Sequence, residues 1–150
     1  MIIAIDPGHL KSAMVWWEKG RIVRHDILDN EELAQSLMYF DECKNVDLVI
    51  EMVASYGMPV GKTIFETCVW IGRFIQACPL EAHLVYRADI KMHFCHSMRA
   101  RDSNVRQALI DRFGKPGTRK EKGILYGIKK DEWSALALAV YWEDTRGRNL

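Results

Sequence analysis

The sequence predicts an α/β domain built on a mixed sheet of five strands flanked by helices. Three observations carry that expectation. The chain opens with three short apolar runs joined by tight turns, the pattern of an antiparallel meander. Two further apolar runs then alternate with helical segments, the pattern of parallel strands joined by crossovers. The last part is helical, with an alanine- and leucine-rich stretch near its end. The order reads βββαβαβααα, with no internal repeat and no linker, so residues 1–150 are expected to form one domain.

Each element has its own signal. Residues 2–5 (Ile-Ile-Ala-Ile) are a β-branched run stopped by Asp6-Pro7-Gly8. Residues 12–17 form a second strand, Lys19-Gly20 a turn, and 21–27 a third strand. Asp29 or Asn30 caps a helix running through Phe40, with Leu33, Leu37 and Phe40 on one stripe. Residues 46–50 are an apolar strand ending in Glu51, followed by a loop carrying Gly57, Pro59 and Gly61. A helix follows over about 62–77, with Ile64, Cys68, Ile71 and Ile75 on its inward stripe. Residues 83–86 are the fifth strand. Helices are expected over 87–95 and 102–113, the second burying Val105, Ala108, Leu109 and Phe113. Residues 114–130 are polar and basic and read as a mobile loop. The last helix is expected from Asp131 to Trp142.

Composition excludes several classes. Hydrophobic residues make up 49% and charged residues 27%, as in soluble globular proteins. No apolar run approaches the ~18 residues of a membrane span. The start, MIIAIDPG, has no basic region and does not read as a signal peptide. Cysteines at 43, 68, 78 and 95 form no C-x-x-C pair, so reduced thiols in the cytoplasm are the expectation. The net charge of +1 conceals an asymmetry: residues 87–130 hold 12 Lys and Arg against 4 Asp and Glu. Such a block points to a polyanionic partner.

Three acids carry the chemistry. Asp6 ends the first strand and Glu51 the fourth, and in a mixed sheet these two strands are expected to be neighbours. The switch point between them opens at their carboxyl ends. Asp131 opens the final helix. Carboxylates that converge without basic partners repel one another, and a hard divalent cation, Mg²⁺ or Mn²⁺, relieves that. Two such ions about 3.5–4 Å apart would activate a water and stabilise the leaving oxygen of a phosphodiester.

The run Ile3-Ala4-Ile5-Asp6-Pro7-Gly8 with Ser12-Ala13-Met14-Val15 resembles the first hairpin of RuvC-type Holliday junction resolvases. Val49-Ile50-Glu51 before a long helix does so too, as does Tyr86-Arg87-Ala88-Asp89-Ile90-Lys91 followed by Val105-Arg106-Gln107-Ala108-Leu109. The stretch from Asp131 to Ala139 resembles the family's closing acidic helix. The resemblance spans nearly the whole chain and is greatest to the compact bacteriophage versions. It implies an RNase H-like fold, a homodimer, and Mg²⁺-dependent nicking of four-way DNA junctions, with Mn²⁺ able to substitute. The family's acids map onto Asp6, Glu51 and Asp131. Where the family has a second Asp three residues into the closing helix, this chain has Ser134, placed here with the metal ligands because it returns to the same helix face. Lys91 matches the family's basic residue near the scissile phosphate and joins the catalytic set. The family's aromatic wedge falls at Ala54, so Tyr56 is the nearest ring able to stack on a junction base. Lys62, Arg99 and Arg101 complete the expected DNA contacts.

The helix over 62–77 supports the dimer independently. Phe65, Val69, Trp70 and Phe74 lie beyond its inward stripe, enough apolar surface for the sheet and a second subunit. Other readings weighed less. The segment from Gly57 to Thr63 is one residue short of a phosphate-binding P-loop, so no nucleotide cofactor is expected. A non-catalytic DNA-binding module on the same fold, and a nuclease acting on RNA–DNA hybrids, stay open as alternatives.

Overall fold

The computed structural model describes residues 1–40 and 45–146. Its elements are β1 (Ile2–Asp6), β2 (Lys11–Glu18), β3 (Arg21–Asp29), α1 (Asn30–Leu37), β4 (Asp47–Met52), α2 (Lys62–Ala77), β5 (Ala82–Tyr86), α3 (Arg87–Cys95), α4 (Asp102–Phe113) and α5 (Glu132–Thr145). The five strands form one sheet in the order β3-β2-β1-β4-β5. The β1–β2 and β2–β3 pairs are antiparallel, and β1–β4 and β4–β5 are parallel. This is the mixed sheet the sequence predicts, with the first and fourth strands adjacent.

Strand alternation sorts the core into two layers. Ile3, Ile5, Leu48 and Ile50 point to one face, where Leu33 and Leu37 of α1 and Ile71 and Phe74 of α2 cover them. Ile2, Ala4, Val49 and Val85 point to the other, against α3, α4 and α5. Small residues on this second face, Ala4 and Ala13 in the sheet and Ala135 and Ala139 in α5, are fully buried and let the helix lie close to the strands. Residues 135–140 of α5 are buried on every side, which makes it the central helix of that layer.

Several expectations change in detail. Helix α1 stops at Leu37 rather than Phe40. Neither Asp29 nor Asn30 caps it. Asn30 is buried instead and ties back to the β1–β2 loop: its Nδ2 donates to the Gly8 carbonyl at 2.8 Å, and its Oδ1 accepts from Ser12 Oγ at 2.6 Å. The Gly8 N–H donates to the same Ser12 Oγ at 3.1 Å. A side chain at Gly8 would strike the Lys11 carbonyl oxygen at 2.3 Å, so the loop closes only around glycine. On α2 the inward residues are Thr67, Ile71 and Phe74, while Ile75 is turned outward. Phe74 thus belongs to the core and not to a second apolar surface.

Residues 114–130 are not a mobile loop. Gly117 and Lys122 form a β-bridge, Thr118 N–H donates to the Glu121 carbonyl at 2.9 Å, and Leu125 and Ile128 are anchored in the core. Its charged residues hid these two anchors. Among the described residues Cys68, Cys78 and Cys95 are free thiols, and Cys43 lies outside them. No described helix is long and apolar enough to cross a membrane.

Replacing Asn30 by Ala would leave the Ser12 O–H without its acceptor and the Gly8 carbonyl without its donor, although Ser12 Oγ would still accept from the Gly8 N–H. The expected cost is about 1–3 kcal/mol, read as a lower urea midpoint with an unchanged slope. Asn30→Asp should not restore stability, because a carboxylate cannot donate to the Gly8 carbonyl.

Candidate active site

The register of the sheet builds the site. Ile5 pairs with Ile50 across the parallel β1–β4 ladder, so Asp6 and Glu51, one residue further on each strand, stand side by side. Asp6 shares the parity of Ile2 and Ala4, and Glu51 that of Val49, so both carboxylates face the α5 layer at the carboxyl ends of their strands. The start of α5 meets them there. Asp131 occupies the N-cap position yet makes no capping hydrogen bond with its side chain. Its carbonyl accepts from the backbone N–H of Ser134 and Ala135, which brings Ser134 one turn along the same face.

Arg87 joins the group. It follows β5 directly, two residues after core-facing Val85, and reaches into the acids. Its Nη1 donates to Glu51 Oε2 at 3.0 Å, and its Nη2 donates to Ser134 Oγ at 2.8 Å while lying 3.2 Å from Asp102 Oδ1. Lys91, one turn further along α3, places its Nζ 3.8 Å from the same Asp102 oxygen. Sequence reasoning put Lys91 here but missed Arg87 and Asp102. The available signal was position: Arg87 stands at the carboxyl end of a parallel strand, as Asp6 and Glu51 do.

The electrostatics show how crowded these charges are. Burial raises the Asp6 carboxyl, and the neighbouring charges of Glu51 and Asp131 raise it further. Arg87 and the Ser134 hydroxyl pull it back, and the balance leaves it pushed up to about 8. Burial also raises Glu51, against the pull of Arg87 and Lys91. Burial alone would lower Arg87, but Glu51, Asp102 and Asp6 hold it above its ordinary value.

Asp102 and Asp131 line an open cleft of about 390 Å³ whose walls also include Arg106, Lys130 and the two residues in contact with the other acids, Arg87 and Ser134. Arg106 stacks on Trp133 with its guanidinium carbon 4.5 Å from the ring centre. A second groove of about 270 Å³ shares Arg87 with the first and is lined by Tyr56, Ala88, Lys91, Met98 and Arg99. Tyr56 is exposed, and its hydroxyl accepts from the Ala88 N–H at 3.2 Å. Three of the expected DNA contacts, Tyr56, Lys91 and Arg99, thus line one groove beside the acids. The other two line neither hollow. Lys62 opens α2 with its ammonium 3.5 Å from Glu66, and Arg101 precedes α4 with its N–H donating to Asn104 Oδ1 at 2.9 Å.

Glu132, the nearest further acid, is outside the site. It is buried, accepts from the Lys129 N–H at 2.8 Å, and sets its Oε1 3.1 Å from His25 Nδ1. That pairing fixes the turn entering α5.

The donor chemistry suits a hard cation: carboxylate oxygens and one hydroxyl, with the high Asp6 value marking negative charge short of compensation. The arrangement is looser than a three-acid cage. Among the described residues no group of three acidic, imidazole or thiol side chains closes around one point. Mg²⁺ needs no such cage, since it is commonly held by one or two carboxylates, waters and substrate phosphate.

No protein-family model matches the sequence, and no curated protein matches it. Solved structures do match. The RuvC structure from Thermus thermophilus superposes with a TM-score of 0.69 at 13% identity, over 99% of this chain and 96% of that one. T. thermophilus RuvC in complex with Holliday junction substrate gives a TM-score of 0.71 at 12% identity, over 99% and 95%. The likeness at this identity is one of architecture, and it extends end to end: the chain has the fold of RuvC.

Proposed function

We propose that this protein is a divalent-metal-dependent endonuclease that nicks branched DNA, with four-way junctions as its preferred substrate. The observation that carries this reading is the side-by-side placement of Asp6 and Glu51, with Asp131 at the start of α5 lining a cleft that bears Arg87, Arg106 and Lys130. Acids at the centre and cations around them are what phosphodiester hydrolysis requires, because the substrate is itself an anion. The shared fold with a RuvC bound to a Holliday junction supports the choice of branched DNA.

In this reading Asp6, Glu51 and Asp131 hold the metal, with Ser134 beside them. A bound Mg²⁺ or Mn²⁺ polarises a phosphate oxygen and makes a water more acidic. Water oxygen bonds to phosphorus as one bridging phosphorus–oxygen bond breaks. One proton ends on the released hydroxyl and one passes to solvent. Lys91 and Arg87 hold the phosphate, Tyr56 stacks on an opened base, and Arg99, Arg101 and Lys62 follow the backbone. A second reading has one observation in its favour. Arg87 already satisfies part of the acid group through Glu51 and Ser134, as a purely DNA-binding relative of such enzymes would allow.

A cleavage assay separates these readings: a four-way junction, a linear duplex and an RNA–DNA hybrid, each with and without Mg²⁺. Nicking of the junction in Mg²⁺ is expected; tight junction binding without nicking supports the second reading, and preferential cutting of the hybrid a hybrid nuclease. Asp6→Asn, Glu51→Gln and Asp131→Asn should each slow nicking about a hundredfold or more, the equivalent of several kcal/mol of transition-state stabilisation. Junction binding should persist in all three.

The reading includes a second copy of the chain, as two symmetric nicks require. Phe65 and Val69 on α2 are 61% and 63% exposed, and Leu10 beside them is 69% exposed. Light scattering at micromolar concentration should report a dimer, and Val69→Glu should shift it to monomer without unfolding it.

Asp6 also makes stability depend on pH. Its carboxyl sits at about 8 in the fold against an ordinary 3.8, so between those values the folded state binds more protons than the unfolded one. In EDTA, stability should therefore fall as pH rises across that window. Asp6→Asn should flatten this slope and melt above the wild-type protein at pH 8. Mg²⁺ should raise the wild-type melting temperature at pH 8 more than that of the variant.

A further inference from the structure

Arg87 is the least expected member of the acid group. Its guanidinium fork spans three partners at once: Glu51 Oε2 at 3.0 Å, Ser134 Oγ at 2.8 Å and Asp102 Oδ1 at 3.2 Å. Its side chain is only 22% exposed, so the charge is held inside the group and not at its rim. Planar guanidinium groups keep their proton under all ordinary conditions and bind oxygens in pairs. This is a fixed positive charge with defined geometry, in the position where a second ion would have to sit to use Glu51 and the residue at 134 together.

The other side of the group is different. Arg87 makes no hydrogen bond to Asp6 or Asp131, and the Asp131 carboxylate adds to the cost of ionising Asp6. One or two carboxylates, completed by water and phosphate, are enough for Mg²⁺. At position 134 the chain offers a neutral hydroxyl, and its oxygen already accepts from Arg87. The Asp6 side meets only the neutral Ser134 hydroxyl, while the donors available to a second cation are engaged by a guanidinium.

Charge balance agrees. With all four carboxylates ionised, as metal binding requires, Asp6, Glu51, Asp102 and Asp131 against Arg87 and Lys91 leave two negative charges, before Arg106 and Lys130 of the cleft wall are counted. One divalent cation cancels them, and a second would leave the group positive before any phosphate arrived.

We infer that, within the nuclease site proposed above, Arg87 supplies the positive charge that a second metal ion would otherwise bring, so that each chain takes one divalent cation, held by Asp6 and Asp131 together with the Glu51 oxygen that Arg87 leaves open. Arg87 then turns from Ser134 to the scissile phosphate when DNA enters, keeping its ion pair with Glu51. The chain trades a second ion, with its dependence on metal concentration, for a residue that is always charged.

The test counts ions directly. Mn²⁺ bound to the full-length protein without DNA is measured from the loss of the free-ion magnetic resonance signal, and nicking of a four-way junction is followed separately. Wild-type protein should bind one Mn²⁺ per chain. Ser134→Asp alone should still bind one, because Arg87 pairs with the new carboxylate. Arg87→Gln combined with Ser134→Asp should bind two. Arg87→Gln alone should slow nicking at least tenfold at saturating metal, with Arg87→Lys recovering part of the loss. Two ions on the wild-type chain would overturn the inference and leave the nuclease reading intact. A second ion gained by Ser134→Asp alone would overturn it too, since Arg87 would then exclude nothing. So would a folded double variant that still binds one. No bound ion on the wild-type protein also overturns it, and the nicking assay then decides the nuclease reading by itself.

Discussion

The parallel pairing of β1 with β4 is the constraint on which the rest depends. A register that sets Ile5 against Ile50 also sets Asp6 beside Glu51, because side chains alternate strictly along both strands. A slip of one residue on either strand would turn its acid to the opposite face, toward α1 and α2, and drive Ile3 and Ile5, or Leu48 and Ile50, out of their layer. The apolar residues that fill the core therefore specify the placement of the acids. The helices respond to the same register. Alanines on the sheet and on α5 bring that helix close, and its first turn delivers Asp131 and Ser134 to the strand ends.

Gathering acids in this way works against folding. Asp6 is pushed up to about 8 largely by burial, and Glu51 is raised as well, so the unliganded fold carries a penalty at neutral pH. Arg87 offsets part of it through direct bonds to Glu51 and Ser134. The remaining negative charge is what a cation bound in the proposed site would neutralise. The asymmetry between Glu51, which has a guanidinium partner, and Asp6, which has none within hydrogen-bonding distance, gives the site a neutralised side and a hungry side.

Much of this was legible in the sequence, and the failures have physical causes. The strand ends at Asp6 and Glu51 and the helix start at Asp131 could be read because an acid closing an apolar run is a sharp local signal. Sheet order followed from crossover rules. Arg87 was missed because it sits at a junction between strand and helix, where neither periodicity governs its direction. Asn30 passed for a helix cap, since caps and buried polar anchors use the same residue types; only the long-range bonds to Gly8 and Ser12 distinguish them. Residues 114–130 read as a loose segment because their charges outnumber the two anchors, Leu125 and Ile128, that pin them to the core. On α2, Phe74 and Ile75 were exchanged between faces because an apolar helix leaves its inward direction underdetermined.

That ambiguity on α2 has a consequence for the molecule. A helix with one apolar stripe can rotate only at the expense of burial. One with apolar residues nearly all round is oriented by its polar and aromatic contacts instead. Here Arg73 lies over Trp70, 4.0 Å from the ring centre, and donates two hydrogen bonds to Glu31 of α1. These contacts are solvent-facing and individually weak. They hold Trp70 against the surface, where it lines a shallow hollow with Val69 and with Leu10 of the β1–β2 loop, while Phe65 and Val69 stay exposed. The same loop is clamped through Gly8 by Asn30 and begins directly after Asp6. In the proposed dimer, a partner seated on Val69 would also meet Leu10, in the loop that joins Asp6 to β2.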